Sequence, residues 1–234
     1  MNELIDDKNI TLYNELKEIF NITFEISQND WASSFSQNKN LIIYYNPEKV
    51  TSADITHELL HCWIRKFETF FGSHLSLLFS SSENYKIKKI FSYKLVEHIG
   101  NCCDHIKMLP KFLELGYKPE QFLYDSNVNK CSIEEINILK KQFKKFFDYN
   151  SQAIDFYIGK FFAFQADHIN FNYDICKQEF FKLDKELYTI LENFWIKWTA
   201  YDITKYDIFE NNYHDIASTF YDDMINWCSN KKIK

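Results

Sequence analysis

Residues 55–63 have the sequence Ile-Thr-His-Glu-Leu-Leu-His-Cys-Trp, which contains the pattern His-Glu-x-x-His at His57, Glu58 and His61. On an α-helix, a spacing of four residues places both imidazoles on one face, one turn apart, where they can share a metal ion. Glu58 then lies beside the open position of that metal. The neighbouring residues are uncharged and no proline interrupts them, so the stretch predicts a largely buried helix that carries a metal site.

Zinc is the metal that this pattern favours. Zn²⁺ binds neutral imidazole nitrogens at about 2.0–2.1 Å and lowers the pKa of its bound water to roughly 7. An adjacent carboxylate can accept the proton of that water during attack on a carbonyl group. The competing interpretation is a buried helix whose two histidines make ordinary hydrogen bonds. That interpretation leaves Glu58 as a charge among apolar neighbours without an obvious partner.

Residues 55–63 resemble the active-site helix of the zincin metallopeptidases. In that superfamily the two histidines bind zinc and the glutamate is the general base. The resemblance therefore implies His57 and His61 as ligands and Glu58 as the catalytic base. It covers these nine residues only, and the glycine and third histidine that extend the motif in metzincins are absent from residues 64–71. The third zinc ligand is therefore expected from a later part of the chain.

A second stretch, residues 97–105, offers candidates for the third ligand. Helical periodicity places its polar residues beside an apolar stripe, and these residues are Glu97, His98, Asn101, Asp104 and His105. We expect His105 to be the ligand, because Asn101 lies one turn before it and Asp104 adjoins it, so polar groups are available to orient its second nitrogen. Asp104, His98 and Glu97 remain alternatives, and many zincins use a glutamate from a later helix. A further alternative is that the polar face of residues 97–105 is exposed to solvent and binds no metal.

The composition predicts a globular α+β protein that is predominantly α-helical. The chain has 234 residues, of which 46% are hydrophobic and 18% aromatic, enough to fill a substantial core. Only four glycines and three prolines occur, which leaves few sharp turns and disfavours a β-sandwich or β-barrel.

The order of the patterns predicts a small N-terminal sheet that packs on helices, including the metal helix. An amphipathic helix with a break near Asn9 covers residues 3–20, and strand patterns cover residues 22–26 and 41–45. The arrangement agrees with what the zincin resemblance implies. Residues 1–125 are expected to form a zincin-like α+β metal-binding region. Residues 126–234 are expected to form a helical region that packs on it, or one continuous domain with it.

Further helix boundaries follow from the turn-forming residues. The metal helix is predicted to end near Gly72, which leaves His74 in a loop. A helix from Glu83 is predicted to end or kink at Pro110. Ser132 and Glu135 predict a capping box before a helix to about residue 148. The last predicted helices cover residues 151–166, 176–200 and 211–228.

The charge and the cysteines restrict the expected environment. A formal net charge of −6 and a pI near 5.7 argue against binding to nucleic acid or to membranes. The amino-terminal residues lack the pattern of a secretory signal, and no run of about eighteen apolar residues is present. Six cysteines occur without Cys-x-x-Cys spacing. These features predict reduced thiols and a cytoplasmic location.

Two functional hypotheses follow from the motif. The first is a zinc-dependent hydrolase, specifically a metallopeptidase acting on a peptide or protein substrate, with Glu58 as base. The second is a zincin-fold metal-binding sensor or protein-interaction module without peptidase activity. The presence of Glu58 favours the enzyme, because a module without catalysis has little need of a base. In a hydrolase, a further residue would donate a hydrogen bond to the negatively charged oxygen of the transition state. The sequence does not identify this residue, and His168 and His214 are weak candidates. The sequence does not indicate an oligomeric state.

Overall fold

The computed structural model describes residues 4–169 and 171–234, and it is an α+β structure in which helices dominate. This confirms the predicted fold class at that level. The helices are α1 (Ile10–Lys17), α2 (Ser52–Arg65), α3 (Phe71–Ser81), α4 (Tyr85–Ile90), α5 (Tyr93–Glu114), α6 (Ile133–Gln142), α7 (Ser151–Gln165), α8 (Asp174–Leu183), α9 (Lys185–Ala200) and α10 (Tyr213–Ser229). The strands are β1 (Asn21–Ile26), β2 (Ser33–Gln37), β3 (Asn40–Tyr45), β4 (Lys144–Lys145), β5 (Asp148–Tyr149) and β6 (Lys232–Ile233).

The described residues group into two compact units. The first unit contains the chain up to Thr69 together with Ile106–Val128. The second contains Phe70–His105 and Asn129–Lys234. The boundary between the units falls between His105 and Ile106. Both residues belong to helix α5.

The first unit contains the predicted N-terminal sheet. Its strand order is β1-β3-β2, with β1 parallel and β2 antiparallel to the central β3. Leu41 and Ile43 alternate along β3 and are fully buried, as expected for a strand with one face on the core. Helix α2 contacts β2 and β3, and α1 contacts both α2 and β1. The sheet therefore supports the helix that carries the His-Glu-x-x-His pattern.

The second unit has an aromatic core. The rings of Phe71 and Trp198 stack with centroids 4.0 Å apart, and those of Phe194 and Phe220 lie 4.5 Å apart. The buried indole N–H of Trp198 donates a hydrogen bond of 2.9 Å to the carbonyl oxygen of Cys103 on α5. These contacts join α3, α5, α9 and α10 through large apolar side chains.

The metal helix is shorter than predicted. Helix α2 ends at Arg65 and not near Gly72, because Glu68 adopts a left-handed backbone with φ of 55° and the chain turns there without a glycine. Gly72 instead lies inside α3, and so does His74, which was expected in a loop. Gly72 has a packing role: a Cβ added to Gly100 of α5 would lie only 2.9 Å from the Cα of Gly72.

Three further helix boundaries differ from the prediction. The segment after Glu83 forms two helices, α4 and α5. Helix α5 does not end at Pro110 but continues to Glu114, and the fully buried side chains of Met108 and Phe112 keep it packed before and after the proline. Helix α6 begins with the predicted capping box but ends at Gln142. The helix predicted over 176–200 is divided at Asp184, whose carboxylate caps α9 by accepting a hydrogen bond from Leu187 N–H.

The six cysteines all lie within the described residues, are buried and form no disulfide bonds. This agrees with the prediction of reduced thiols. Among residues 4–169 and 171–234, no helix combines the length and the apolar character needed to cross a bilayer.

Candidate metal site

Helix α2 begins with a capping arrangement that its sequence predicts. The Asp54 carboxylate accepts hydrogen bonds from the backbone N–H of Thr51 at 2.7 Å and from its hydroxyl at 2.8 Å. These bonds give the backbone N–H of Thr51, at the start of the helix, a hydrogen-bond partner. They also hold the negative charge of Asp54 near the positive end of the helix dipole. Farther along α2, Leu59, Leu60 and Cys62 are fully buried. Burial raises the pKa of the Cys62 thiol to about 12, so this residue behaves as a small core side chain and not as a thiolate.

Thr56 connects α2 to two other segments of the first unit. Its hydroxyl accepts a hydrogen bond of 3.0 Å from the amide of Asn9 and lies 3.0 Å from the hydroxyl of Tyr117, while it donates to the carbonyl oxygen of Ser52 at 2.7 Å. Asn9 is fully buried and also donates to the carbonyl oxygen of Leu4 at 2.9 Å. This network fixes α2 at the residue directly before His57.

His57 and His61 lie on one face of α2, as their spacing predicts. Their ring centroids are 5.1 Å apart, and the rings meet edge to face at 73°. The ring of Phe122 lies 4.8 Å from that of His57. Both histidines are half-buried, so they are partly shielded by apolar groups and still reach solvent.

His105 on α5 lies close to these two side chains. One ring nitrogen from each of His57, His61 and His105 falls within 4.8 Å of the others, and His105 is also half-buried. Three imidazoles at this separation could hold a metal ion. Among the described residues, no other group of three histidine, cysteine or carboxylate side chains meets the same limit.

The donor set consists of imidazole nitrogens, which suit zinc and also copper, iron and nickel. Three nitrogens at tetrahedral positions around zinc lie roughly 3.3 Å from one another, whereas the three nitrogens here lie within 4.8 Å of one another. Three protein ligands with an open fourth position are characteristic of catalytic zinc sites, whereas structural sites use four.

The alternative ligands on α5 are engaged elsewhere or stay outside the group. The Nε2 atom of His98 lies 3.0 Å from the carbonyl oxygen of Gly159 on α7. Glu97 is exposed and shares a hydrogen bond with the hydroxyl of Tyr93, one turn earlier. Asp104 is half-buried beside His105 and does not belong to the three-residue group. Of the four candidates, only His105 is brought together with His57 and His61.

Glu58 is the one buried carboxylate of α2. It is 8% exposed, although it lies between His57 and Leu59 in the sequence. Within residues 4–169 and 171–234, no side chain forms an ion pair or hydrogen bond with its carboxylate. Most of the Glu58 side chain is therefore enclosed by neighbouring residues, directly after His57 in the sequence.

Two histidines of the second unit form a pair apart from the candidate metal site. The rings of His74 on α3 and His214 on α10 lie 4.2 Å apart, edge to face, and the ring of Tyr213 stacks on His214 at 4.1 Å. The Nε2 atom of His74 is buried without a hydrogen-bond partner. Burial lowers the pKa of both histidines, and their proximity lowers that of His74 further.

Two features of the site could not be predicted from the sequence. Thr56 is 47 residues from Asn9 and 61 from Tyr117, so their hydrogen bonds depend on the tertiary fold. Phe122 lies in a different segment from His57, and no local pattern in the sequence indicates the contact between their rings.

No protein-family model, curated protein or solved structure matches the chain. The resemblance to zincins therefore rests on the sequence of residues 55–63 alone.

Proposed function

We propose that the protein is a zinc-dependent hydrolase, specifically a zincin-like metallopeptidase, in which His57, His61 and His105 hold the metal and Glu58 is the general base. The observation that carries the proposal is the approach of three imidazole nitrogens within 4.8 Å, together with the buried residue Glu58 next to His57 in the sequence. Neither feature is needed to complete the hydrophobic core.

Each protein side chain has a defined role in this proposal. When bound, zinc supplies a Lewis acid that polarises a carbonyl group and makes water a nucleophile near neutral pH. Glu58 accepts the proton of the attacking water at a carboxylate oxygen and returns it to the leaving amine nitrogen of the peptide. The three ligands are neutral imidazoles, so they leave the positive charge of the site available to the substrate carbonyl oxygen.

The surroundings of the histidines support the proposal in two ways. The hydrogen bonds of Thr56 hold α2 in place one residue before His57, which limits the movement of the first ligand. The ring of Phe122 covers one side of His57 and reduces the local dielectric constant, which strengthens charge interactions at the site.

The substitution Glu58→Gln tests the role of the base. Glutamine keeps the size and the hydrogen-bonding reach of glutamate but cannot accept the proton. Cleavage of a broad peptide library at neutral pH should therefore fall by about 10²–10⁴-fold, while zinc content stays unchanged. Glu48→Gln, which changes an exposed carboxylate, is the matched control and should keep full activity.

Two results would overturn the proposal. Equal cleavage by Glu58→Gln and wild-type protein would show that Glu58 is not the base. No cleavage by zinc-loaded wild-type protein would remove the peptidase function and favour a metal-binding sensor or interaction module.

A further inference from the structure

The hairpin formed by β4 and β5 exposes two large aromatic side chains at its tip. Lys144 pairs with Tyr149 and Lys145 with Asp148, so Phe146 and Phe147 form a two-residue turn. Phe146 is 85% exposed and Phe147 is 83% exposed. Neither side chain contributes to the core, and two adjacent exposed phenylalanines have an unfavourable contact with water.

The turn itself does not explain phenylalanine at this position. Phe146 has a left-handed backbone with φ of 56°, a conformation that short hairpin turns normally give to glycine, asparagine or aspartate. A bulky side chain there is unusual and raises the conformational energy of the turn. The left-handed backbone and the exposure of Phe146 together favour a role for this side chain outside the folding of the hairpin.

Lysines surround the base of the same hairpin. Five lysines belong to it or to the adjoining segments, and one acidic residue, Asp148, lies among them; the lysines are Lys141, Lys144, Lys145, Lys232 and Lys234. The difference is a local surplus of four positive charges, in a chain whose formal net charge is −6. Asp148 forms ion pairs with Lys232 and Lys234, whose side chains remain 69% and 65% exposed.

Three of these lysines border one surface depression with Phe146. Lys141, Lys145 and Lys234 line it together with Asp148, which forms an ion pair with Lys234, and with polar groups such as Asn150. The three ammonium groups outnumber the one carboxylate, so the depression suits a phosphate, and an exposed phenyl ring at its edge suits the apolar region beyond a phospholipid headgroup.

We propose that the β4–β5 hairpin docks the protein on the surface of an anionic phospholipid bilayer. The rings of Phe146 and Phe147 enter the boundary between headgroups and acyl chains, while the lysines contact lipid phosphates. The expectation that the protein avoids membranes rests on the charge of the whole chain, whereas docking depends on the local charge within a Debye length of about 10 Å. This inference is independent of the metal site.

Vesicle flotation tests the inference with the full-length protein. Wild-type protein should bind vesicles of phosphatidylcholine containing about 30 mol% phosphatidylserine, bind pure phosphatidylcholine vesicles weakly, and dissociate from the anionic vesicles at about 0.5 M salt. The double substitution Phe146→Ser and Phe147→Ser should lower the binding constant by about tenfold or more. Lys145→Gln should lower it by roughly fivefold.

Phe209→Ser is the matched control for the aromatic substitutions. Phe209 is 92% exposed in another loop but lies between Asp207 and Glu210, so its removal should leave vesicle binding unchanged. Equal binding of wild-type protein to neutral and anionic vesicles would overturn the inference. So would full binding by the Phe146 and Phe147 double variant, or retention on single-stranded DNA without vesicle binding, which would indicate a nucleic-acid partner instead.

Discussion

The rings of His57 and His61 meet edge to face with their centroids 5.1 Å apart. This relationship follows from a four-residue spacing on a regular helix and needs no long-range contact. The third imidazole differs, because His105 belongs to α5 and reaches the pair only in the folded chain. The candidate metal site therefore combines a local element with one that depends on the tertiary structure.

The first prediction concerns the third ligand. His105→Ala should weaken zinc binding more than Asp104→Ala, because it removes a direct bond, whereas loss of a neighbouring polar group typically costs about 10–100-fold in affinity. Zinc titration with a competing chelator gives the ranking. His98→Ala is the matched control, because His98 is a histidine on the same helix and is engaged with Gly159. Equal affinities of the His105 and His98 variants would exclude His105 as a ligand.

A second prediction concerns the network that positions α2. Thr56→Val keeps the shape of the side chain but removes the hydroxyl that bonds Asn9 and Tyr117. The free energy of unfolding should fall by about 1–3 kcal/mol, because the buried amide of Asn9 loses a partner. Thr189→Val is the control. Its hydroxyl makes the same bond to a carbonyl four residues earlier but is exposed, so chemical denaturation should show a change within about 0.5 kcal/mol.

The close approach of α3 and α5 gives a third prediction. Gly100→Ala places a methyl group 2.9 Å from the Cα of Gly72, so the helices must separate and stability should fall by about 1–3 kcal/mol. Gly159→Ala also changes a helical glycine, but its Cβ would make ordinary contacts with two side chains, Leu95 Cδ1 at 3.5 Å and His98 Cδ2 at 3.9 Å. The free energy of unfolding of Gly159→Ala should equal that of the wild type or be higher by up to about 1 kcal/mol. Equal destabilisation by both variants would refute the packing argument.

The fourth prediction is a pH dependence from His74 and His214. Their pKa values are lowered in the folded protein mainly by burial, and Asp215 only partly opposes this for His214. The unfolded chain therefore binds protons first as the pH falls below about 6.5, so the stabilisation is complete above that value and is lost as the pH falls through the folded-state pKa. Denaturation midpoints should decrease between about pH 7 and pH 5.

Substitution of His74 isolates this contribution. His74→Leu removes the buried Nε2 atom that lacks a partner and should make the decrease with pH shallower. His74→Gln stays uncharged at every pH tested, so it should also make the decrease of the denaturation midpoint with falling pH shallower. An unchanged slope in both variants would show that this pair does not control the acid sensitivity.

The sequence predicted the features that depend on local periodicity. The four-residue spacing placed His57 and His61 on one face. Alternation of apolar and polar residues predicted β1, and a continuous run of β-favouring residues predicted β3. His105 was preferred from its polar neighbours, and the structure brings it to the pair, although its role as a ligand stays a prediction.

The predictions that were wrong or missing depend on the folded chain, which local sequence patterns do not describe. The end of α2 was missed because Glu68 adopts a backbone conformation normally given to glycine. Gly72 was interpreted as a helix stop, whereas it allows the approach of Gly100 from a distant helix. The bonds of Thr56 join residues that are far apart in the chain, so no spacing rule could find them.

Zinc content per folded chain tests the central claim most directly. Purified wild-type protein should contain about one zinc per chain, and His57→Ala and His61→Ala should lose most of it while circular dichroism shows an unchanged helical content. His98→Ala should retain the wild-type zinc content. Unchanged zinc in the folded His57→Ala and His61→Ala proteins, or no zinc binding by the wild-type protein, would contradict the proposed metal site.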